Sequence, residues 1–238
     1  MAAVAAPSVY AGGATVIAVG VLLAEFGMFR QALLRDQVRL YAAQSALLSV
    51  LAVVVAAARH VPELYVLAAL SAGLKVVCVP LVLRRLLRGA GLGREAAGGG
   101  DDTSGWTEIA GSGSLGLAST VLLAIAVAAF GFFCVGALHI HSPVLPATAL
   151  AISVAVALVA FVLMINRRDV ASQAVGFLSM ENGISLAALV VAAGLPLILE
   201  VAFLFDLLVA VVVFELLIRV HHGRAESLST ADLTRLRG

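Results

Sequence analysis

The chain has 238 residues, of which 62% are hydrophobic and only 12% are charged, and its formal net charge is +1. This apolar content exceeds what a water-soluble domain needs for its core, so the composition excludes an ordinary soluble protein. The near-neutral charge gives no indication of nucleic-acid binding. Long apolar segments recur along the chain, and each must be a helix because a lipid-exposed backbone has to satisfy its own N–H and C=O groups.

The sequence predicts an all-α, polytopic membrane protein with about seven transmembrane helices. We place them in chain order at about 8–29, 40–58, 62–83, 115–138, 144–165, 170–194 and 196–219. The N-terminal segment has no basic region before its apolar stretch. We therefore expect a retained first helix rather than a cleaved signal peptide.

The distribution of arginine predicts the orientation of these helices. Arginines follow the first, third, fifth and seventh predicted helices, namely Arg30, Arg35, Arg39, Arg84, Arg85, Arg88, Arg94, Arg167, Arg168, Arg219, Arg224, Arg235 and Arg237. Only Arg59 lies in a connection on the other side. Because basic residues near helix ends stay on the cytoplasmic side, we expect an outside N-terminus and a cytoplasmic C-terminus.

A glycine-rich interval divides the chain into parts. We expect a three-helix N-terminal membrane part at 1–88, a cytoplasmic linker at 89–114, a four-helix part at 115–219 and a cytoplasmic tail at 220–238. The linker has glycines but neither a preceding strand nor the residues of a phosphate-binding loop, so a flexible connection is favoured.

The ends of the two membrane parts resemble each other. Residues 62–89 and 196–223 both begin with Pro, contain a basic motif near the end and finish with Gly. A two-helix unit used twice in parallel orientation explains this similarity, and a chance match between apolar hairpins explains it equally well.

Neither a metal site nor a cofactor site is predicted. Cys78 and Cys134 both fall inside predicted helices, where ordinary packing is expected rather than a disulfide. The two histidines of the motif HIH, His139 and His141, have no third ligand nearby in sequence. No cysteine cluster for an iron–sulfur centre is present in the sequence, so we expect no redox or catalytic site in the chain itself.

Six ionisable residues fall within the predicted spans, and their depth determines how we interpret them. They are Glu25, Lys75, Glu181, Glu200, Asp206 and Glu215. Glu25 lies near the end of the first helix and near Arg30, which favours solvation at the membrane surface. Glu215 precedes Arg219 by four residues, which predicts a terminal ion pair.

Lys75, Glu181 and Asp206 lie near the middle of their helices, where a charge costs at least about 2.5 kcal/mol. Glu200 is less deep, about a turn below the outer surface. Burial favours the neutral forms of such groups, so they could exchange protons along a file of water molecules. The alternative is a buried pair of charges that only holds helices together.

Polar residues near Glu181 also indicate that this helix carries a functional site. Asn182 supplies a hydrogen-bond donor and an acceptor beside the carboxyl, and Gly183 allows close approach of another helix or of water. Gln173, Glu181 and Ser185 are separated by eight and four residues. This spacing predicts that the three side chains share one stripe of the helix.

The segments RRDVASQAVGFLSMENGISLA and GLPLILEVAFLFDLLVAVVVFELLIR resemble component E of hydrogenase-4 and formate hydrogenlyase-type complexes. The resemblance covers chiefly residues 144–238. That family is in turn similar to two small three-helix proteins, the K subunit of respiratory complex I and the C subunit of multi-subunit cation/proton antiporters. Residues 144–219 would then form a K-subunit-like bundle.

The resemblance implies a function and partners. It implies a non-redox membrane subunit that contributes a proton path, with Glu181 as the middle-helix glutamate and Asp206 or Glu200 as the last-helix acid. Implied partners are antiporter-like membrane subunits and a peripheral hydrogenase-type redox arm in the inner (plasma) membrane. The alternatives are a subunit of a cation/proton antiporter and a structural membrane adaptor.

Overall fold

The computed structural model describes residues 9–31, 33–83, 116–138, 145–167 and 170–192. All the regular elements in these ranges are helices. They are α1 (Val9–Arg30), α2 (Leu34–Arg59), α3 (Glu63–Leu83), α4 (Leu117–Leu138), α5 (Ala147–Asn166) and α6 (Val170–Ala192). All six are long and apolar enough to cross a membrane, which is the architecture of a polytopic membrane protein.

The first six predicted helices agree with the structure, except at the beginning of α2. We expected that helix from about residue 40, but it begins at Leu34 and carries Arg35 and Arg39 on its first turns. Asp36 and Arg39 form an ion pair there at 3.2 Å. Hydropathy locates the apolar part of a helix, whereas its backbone hydrogen bonds continue into the polar turns beyond it. The predicted seventh helix, the linker and the tail lie outside the described residues.

A tight turn joins α2 to α3. His60 adopts a left-handed conformation with φ of 56° and donates its backbone N–H to the Ala56 carbonyl. Pro62 follows two residues later and directly precedes α3, as is common after such a helix end. We call this side of the bundle the His60 end.

We call the opposite side of the bundle the Arg167 end, because Arg167 binds the end of α1 there. The Arg167 guanidinium donates hydrogen bonds to the carbonyls of Met28, Phe29 and Gln31, at 3.4, 3.2 and 3.0 Å. The last carbonyls of a helix have no partners within that helix. Arg167 supplies partners from the end of α5, and its positive charge complements the helix dipole of α1.

Four helices form a ring in which α1 contacts α2, α2 contacts α6, α6 contacts α5, and α5 contacts α1. The helix α3 packs on α2, while α4 packs on α5 and α1. Glycines bring some of these backbones close together. A Cβ atom at Gly183 would lie 2.8 Å from the Ala157 backbone nitrogen, and one at Gly176 would lie 3.2 Å from the Met164 nitrogen. The close α5–α6 contact therefore requires glycine on α6.

The middle of α3 departs from the expected regular α-helix. Residues Ala72–Cys78 form a π-helical segment between α-helical turns. Such segments are rare, and they occur frequently at functional sites because they change the direction of a side chain relative to the rest of the helix. Lys75 lies within this segment and is almost completely buried.

Candidate functional site: a buried polar layer

Two apolar clusters fill the bundle, one at each end, and polar side chains lie between them. At the His60 end the cluster includes Val21, Leu48 and Leu186. At the Arg167 end it includes Met28 and Tyr41. Between them lies what we call the polar layer, which consists of Glu25 on α1, Gln44 and Ser45 on α2, Lys75 on α3, and Ser179, Glu181, Asn182 and Ser185 on α6.

The polar layer lies at the middle of the bundle. Glu181 is eleven residues from each end of Val170–Ala192, which corresponds to about 16 Å of helix in both directions. From this depth the Glu181 side chain cannot reach either end of its helix. The groups of the layer must therefore be satisfied by one another or by water.

Lys75 and Glu181 form an ion pair in this layer. The Lys75 side chain is 1% exposed and that of Glu181 is 15% exposed. The Lys75 ammonium group also donates to Asn182 Oδ1 at 3.2 Å and to Ser185 Oγ at 3.1 Å. Lys75 thus has one ion pair and two hydrogen bonds, and the Ser185 hydroxyl in turn donates to Glu181 Oε1 at 2.8 Å.

Asn182 connects this ion pair to α2. Its side-chain nitrogen donates to Gln44 Oε1 at 3.0 Å and to Ser45 Oγ at 2.9 Å. Gln44 Nε2 then donates to Glu25 Oε2 at 2.8 Å. An unbroken series of hydrogen bonds therefore runs from the Lys75–Glu181 pair to Glu25 and joins four helices.

A cavity of about 50 Å³ adjoins the ion pair. It extends from the polar layer toward the His60 end, between α2, α3 and α6. Its lining residues are Leu48, Ser49, Ala52, Leu67, Ala68, Ser71, Lys75, Glu181, Ser185, Ala188 and Leu189. A water molecule needs roughly 10 to 15 Å³ of such space and at least two polar partners, so the cavity has room for a few waters beside Glu181.

The structure brings three of the residues singled out from the sequence, Lys75, Glu181 and Asn182, into direct contact. Gln173 is not among them. Its side-chain nitrogen donates to the Arg167 carbonyl at 2.8 Å, so it bridges the α5–α6 turn. Eight residues span about 12 Å of helix, so a shared face does not bring side chains into contact. Asp206 and Glu200 lie outside the described residues.

Glu25 corrects a sequence-based interpretation. We expected it at the membrane surface near Arg30, but it is fully buried and contacts Gln44 and Ser179. Side chains of a helix tilt toward its N-terminus. Glu25 lies near the C-terminus of α1, so its carboxyl reaches deeper than the position of its Cα suggests.

Part of the chain is similar to a known protein. The uncharacterized protein Rv0085 of Mycobacterium tuberculosis shares 43% identity with it over 84 residues. That similarity covers 35% of this chain and 36% of the relative's length. No family model matches the chain, and no solved structure matches it. Fold and site together define the class, which is a polytopic α-helical membrane protein with a polar layer buried in its bundle.

Proposed function

We propose that this chain is a non-redox membrane subunit of a hydrogenase-4- or formate hydrogenlyase-like complex and contributes a proton path through buried carboxylates. One observation carries the proposal. The Glu181 carboxyl is ion-paired with Lys75 at the middle of the bundle and borders a cavity large enough for water. The resemblance of residues 144–238 to component E supplies the kind of complex.

The geometry supports a simple role for the ion pair. A proton that enters through the cavity neutralises the Glu181 carboxylate and leaves the Lys75 charge without its partner. The uncompensated ammonium group then favours release of the proton from Glu181, because a nearby positive charge favours the ionised carboxyl. In this proposal the proton continues to the acid of the last helix, Asp206 or Glu200.

The proposal includes the full topology and the assembly. The chain has seven membrane helices with an outside N-terminus and a cytoplasmic C-terminus, and it resides in the inner (plasma) membrane. Its partners are antiporter-like membrane subunits and a peripheral hydrogenase-type redox arm. In this orientation the cavity lies on the outer side of the ion pair, because the α2–α3 turn is on that side.

The competing function is a structural adaptor, and the hydrogen bonds that join four helices favour it.

Glu181→Gln separates the two functions. Gln keeps the shape and an acceptor for Ser185, and Lys75 keeps its contacts with Asn182 and Ser185, so we expect a less stable variant that still assembles. Proton movement in membrane vesicles, compared at equal amounts of assembled protein, should fall by about tenfold or more. Glu63→Gln is the matched control, because Glu63 is exposed at the beginning of α3. A variant that assembles and moves protons at the normal rate would contradict the proton path.

The cavity gives a second test. Ser71 lines it one helical turn before Lys75. Ser71→Leu should fill much of the space with hydrocarbon and exclude water, so proton movement should drop while the folded complex remains. Ala69→Leu places the same side chain on the exposed face of α3 and should have no effect. Equal proton movement in both variants would show that the cavity is not the route.

A further inference from the structure

The proton path as proposed does not use Glu25, although this carboxyl lies in the same layer. Glu25 is fully buried, and its Oε1 atom has no hydrogen-bond partner. Its Oε2 atom contacts two neutral groups, the amide of Gln44 and the hydroxyl of Ser179. A buried carboxylate with neutral partners alone is expensive, so the site suits a carboxyl that holds a proton.

Charged and titratable groups on the surrounding helices do not change this conclusion. On the described parts of these helices the buried or half-buried titratable groups include Tyr41 on α2, Lys75 on α3, Cys134 on α4, Arg167 at the end of α5 and Glu181 on α6. None of these forms a hydrogen bond or an ion pair with Glu25. Arg167 instead binds the backbone carbonyls at the end of α1.

The number of protons available around Ser179 also indicates that Glu25 is protonated. The Ser179 oxygen lies within hydrogen-bonding distance of Glu25 Oε2 and also, at 2.9 Å, of Gln44 Oε1. A hydroxyl group has one proton and can donate to only one of them. If Glu25 is protonated, it donates to Ser179, and Ser179 donates to Gln44. Both contacts are then hydrogen bonds, whereas an ionised Glu25 leaves one of them without a proton.

The two amides between Glu25 and the ion pair have a forced orientation. Lys75 can only donate, so the Asn182 atom that faces it must be the oxygen. The Asn182 nitrogen therefore faces Gln44, which must present its own oxygen. The Gln44 nitrogen is then directed at Glu25 and at the Val21 carbonyl, 3.3 Å away. The amide dipoles are aligned from Lys75 to Glu25, and aligned hydrogen bonds polarise one another.

We propose that Glu25 is a second proton-holding carboxyl and that the amides of Asn182 and Gln44 couple it to the charge of the Lys75–Glu181 pair. The amides carry no proton themselves. They transmit the change in charge, because an uncompensated Lys75 draws electron density along the aligned dipoles and weakens the hold of Glu25 on its proton. The inference deepens the proposed function and rests on it only in taking protons as the cargo.

Infrared spectra of the full chain in lipid vesicles test whether Glu25 holds a proton, and they do so without measuring transport. At neutral pH the spectrum should contain the band of a protonated carboxyl group that disappears in Glu25→Gln and remains in Glu63→Gln. Gln has the shape of the protonated carboxyl and can donate an amide proton to Ser179 in its place, so the variant should fold. Identical bands in the wild-type chain and in Glu25→Gln would overturn the inference.

The coupling of Glu25 to the Lys75–Glu181 pair is tested by the pH at which the band of the protonated Glu25 carboxyl falls to half its intensity. Glu181→Gln leaves the charge of Lys75 uncompensated, so this pH should be lower than in the wild-type chain. Ser45→Ala removes a hydrogen bond to Asn182 that is not part of the amide series, and it should leave the pH unchanged. No shift in Glu181→Gln would overturn the coupling. Failure of the proposed function is recognised separately, by normal proton movement in Glu181→Gln while the Glu25 band persists.

Discussion

Lys75→Met should destabilise the chain by about 3 kcal/mol or more, the usual cost of removing one partner from a buried ion pair. The substitution removes an ion pair and two hydrogen bonds at once, so Glu181 loses its counter-charge and Asn182 and Ser185 lose a donor. Thermal unfolding of the full chain in lipid discs measures the effect. The midpoint should fall markedly, and less folded chain should be recovered from membranes.

Two variants show whether the cause is the unpaired charge. Arg39→Met removes the cation of an exposed pair, with side chains 53% and 33% exposed, and should cost less than about 1 kcal/mol. Lys75→Met combined with Glu181→Met replaces both charges by apolar groups and should recover most of the lost stability. If the double variant is as unstable as Lys75→Met alone, the loss comes from packing rather than from the ion pair.

That double variant also separates folding from function. It should fold but should not move protons, because it has neither the carboxyl nor the ammonium group of the proposed path. A structural adaptor requires only a stable bundle, so it would work normally in this variant. Comparison of the double variant with the wild-type chain therefore tests the proposed function under conditions in which stability is not the limiting factor.

The sequence predicted the centre of the polar layer because ionisable residues in apolar helices are conspicuous. Lys75 and Glu181 lie far from the ends of any apolar stretch, and such residues are expensive unless they face protein or water. Their pairing follows from this cost, since opposite charges at one depth stabilise each other. Helix positions were likewise predictable, because hydrocarbon thickness fixes the length of a spanning segment.

Glu25 and Gln44 were harder to recognise, for two different reasons. The Cα of Glu25 lies near the end of α1, whereas the carboxyl is displaced toward the N-terminus of that helix. Gln44 and Ser45 are uncharged, so sorting residues by charge overlooks them, although two adjacent polar residues inside an apolar span are also costly to bury without partners. Comparison of all polar residues at one depth, charged or not, identifies Gln44 and Ser45.

The π-helical segment could not be predicted from the sequence. Residues Ala72–Cys78 read AGLKVVC, which has the apolar pattern of an ordinary membrane helix apart from Lys75. A π-helical turn is not favoured by any of these residue types by itself. Lys75, inside the segment, contacts Asn182 and Ser185 on α6, which lie more than a hundred positions away in the chain. The residues of the segment alone do not predict such contacts.

Gly183→Ala should reduce the free energy of unfolding by about 2 kcal/mol, since the added carbon overpacks a close helix contact. Its Cβ would lie 2.8 Å from the Ala157 nitrogen and 3.1 Å from the Ala157 Cα. Both are backbone atoms and cannot rotate away, so α5 and α6 must separate. Asn182 and Glu181 precede Gly183 directly, and movement of their backbone should disturb the contacts with Gln44 and Lys75.

Gly136→Ala provides the matched control. Gly136 lies on α4, and a Cβ there meets no atom within 4 Å. Alanine forms helices more readily than glycine by about 1 kcal/mol, so this variant should be unchanged or slightly more stable. Unfolding of both variants in lipid discs, together with proton movement in vesicles, completes the test. If Gly183→Ala retains both stability and proton movement, the α5–α6 contact does not position the polar layer, and the hydrogen bonds with α2 and α3 alone must hold Glu181 in place.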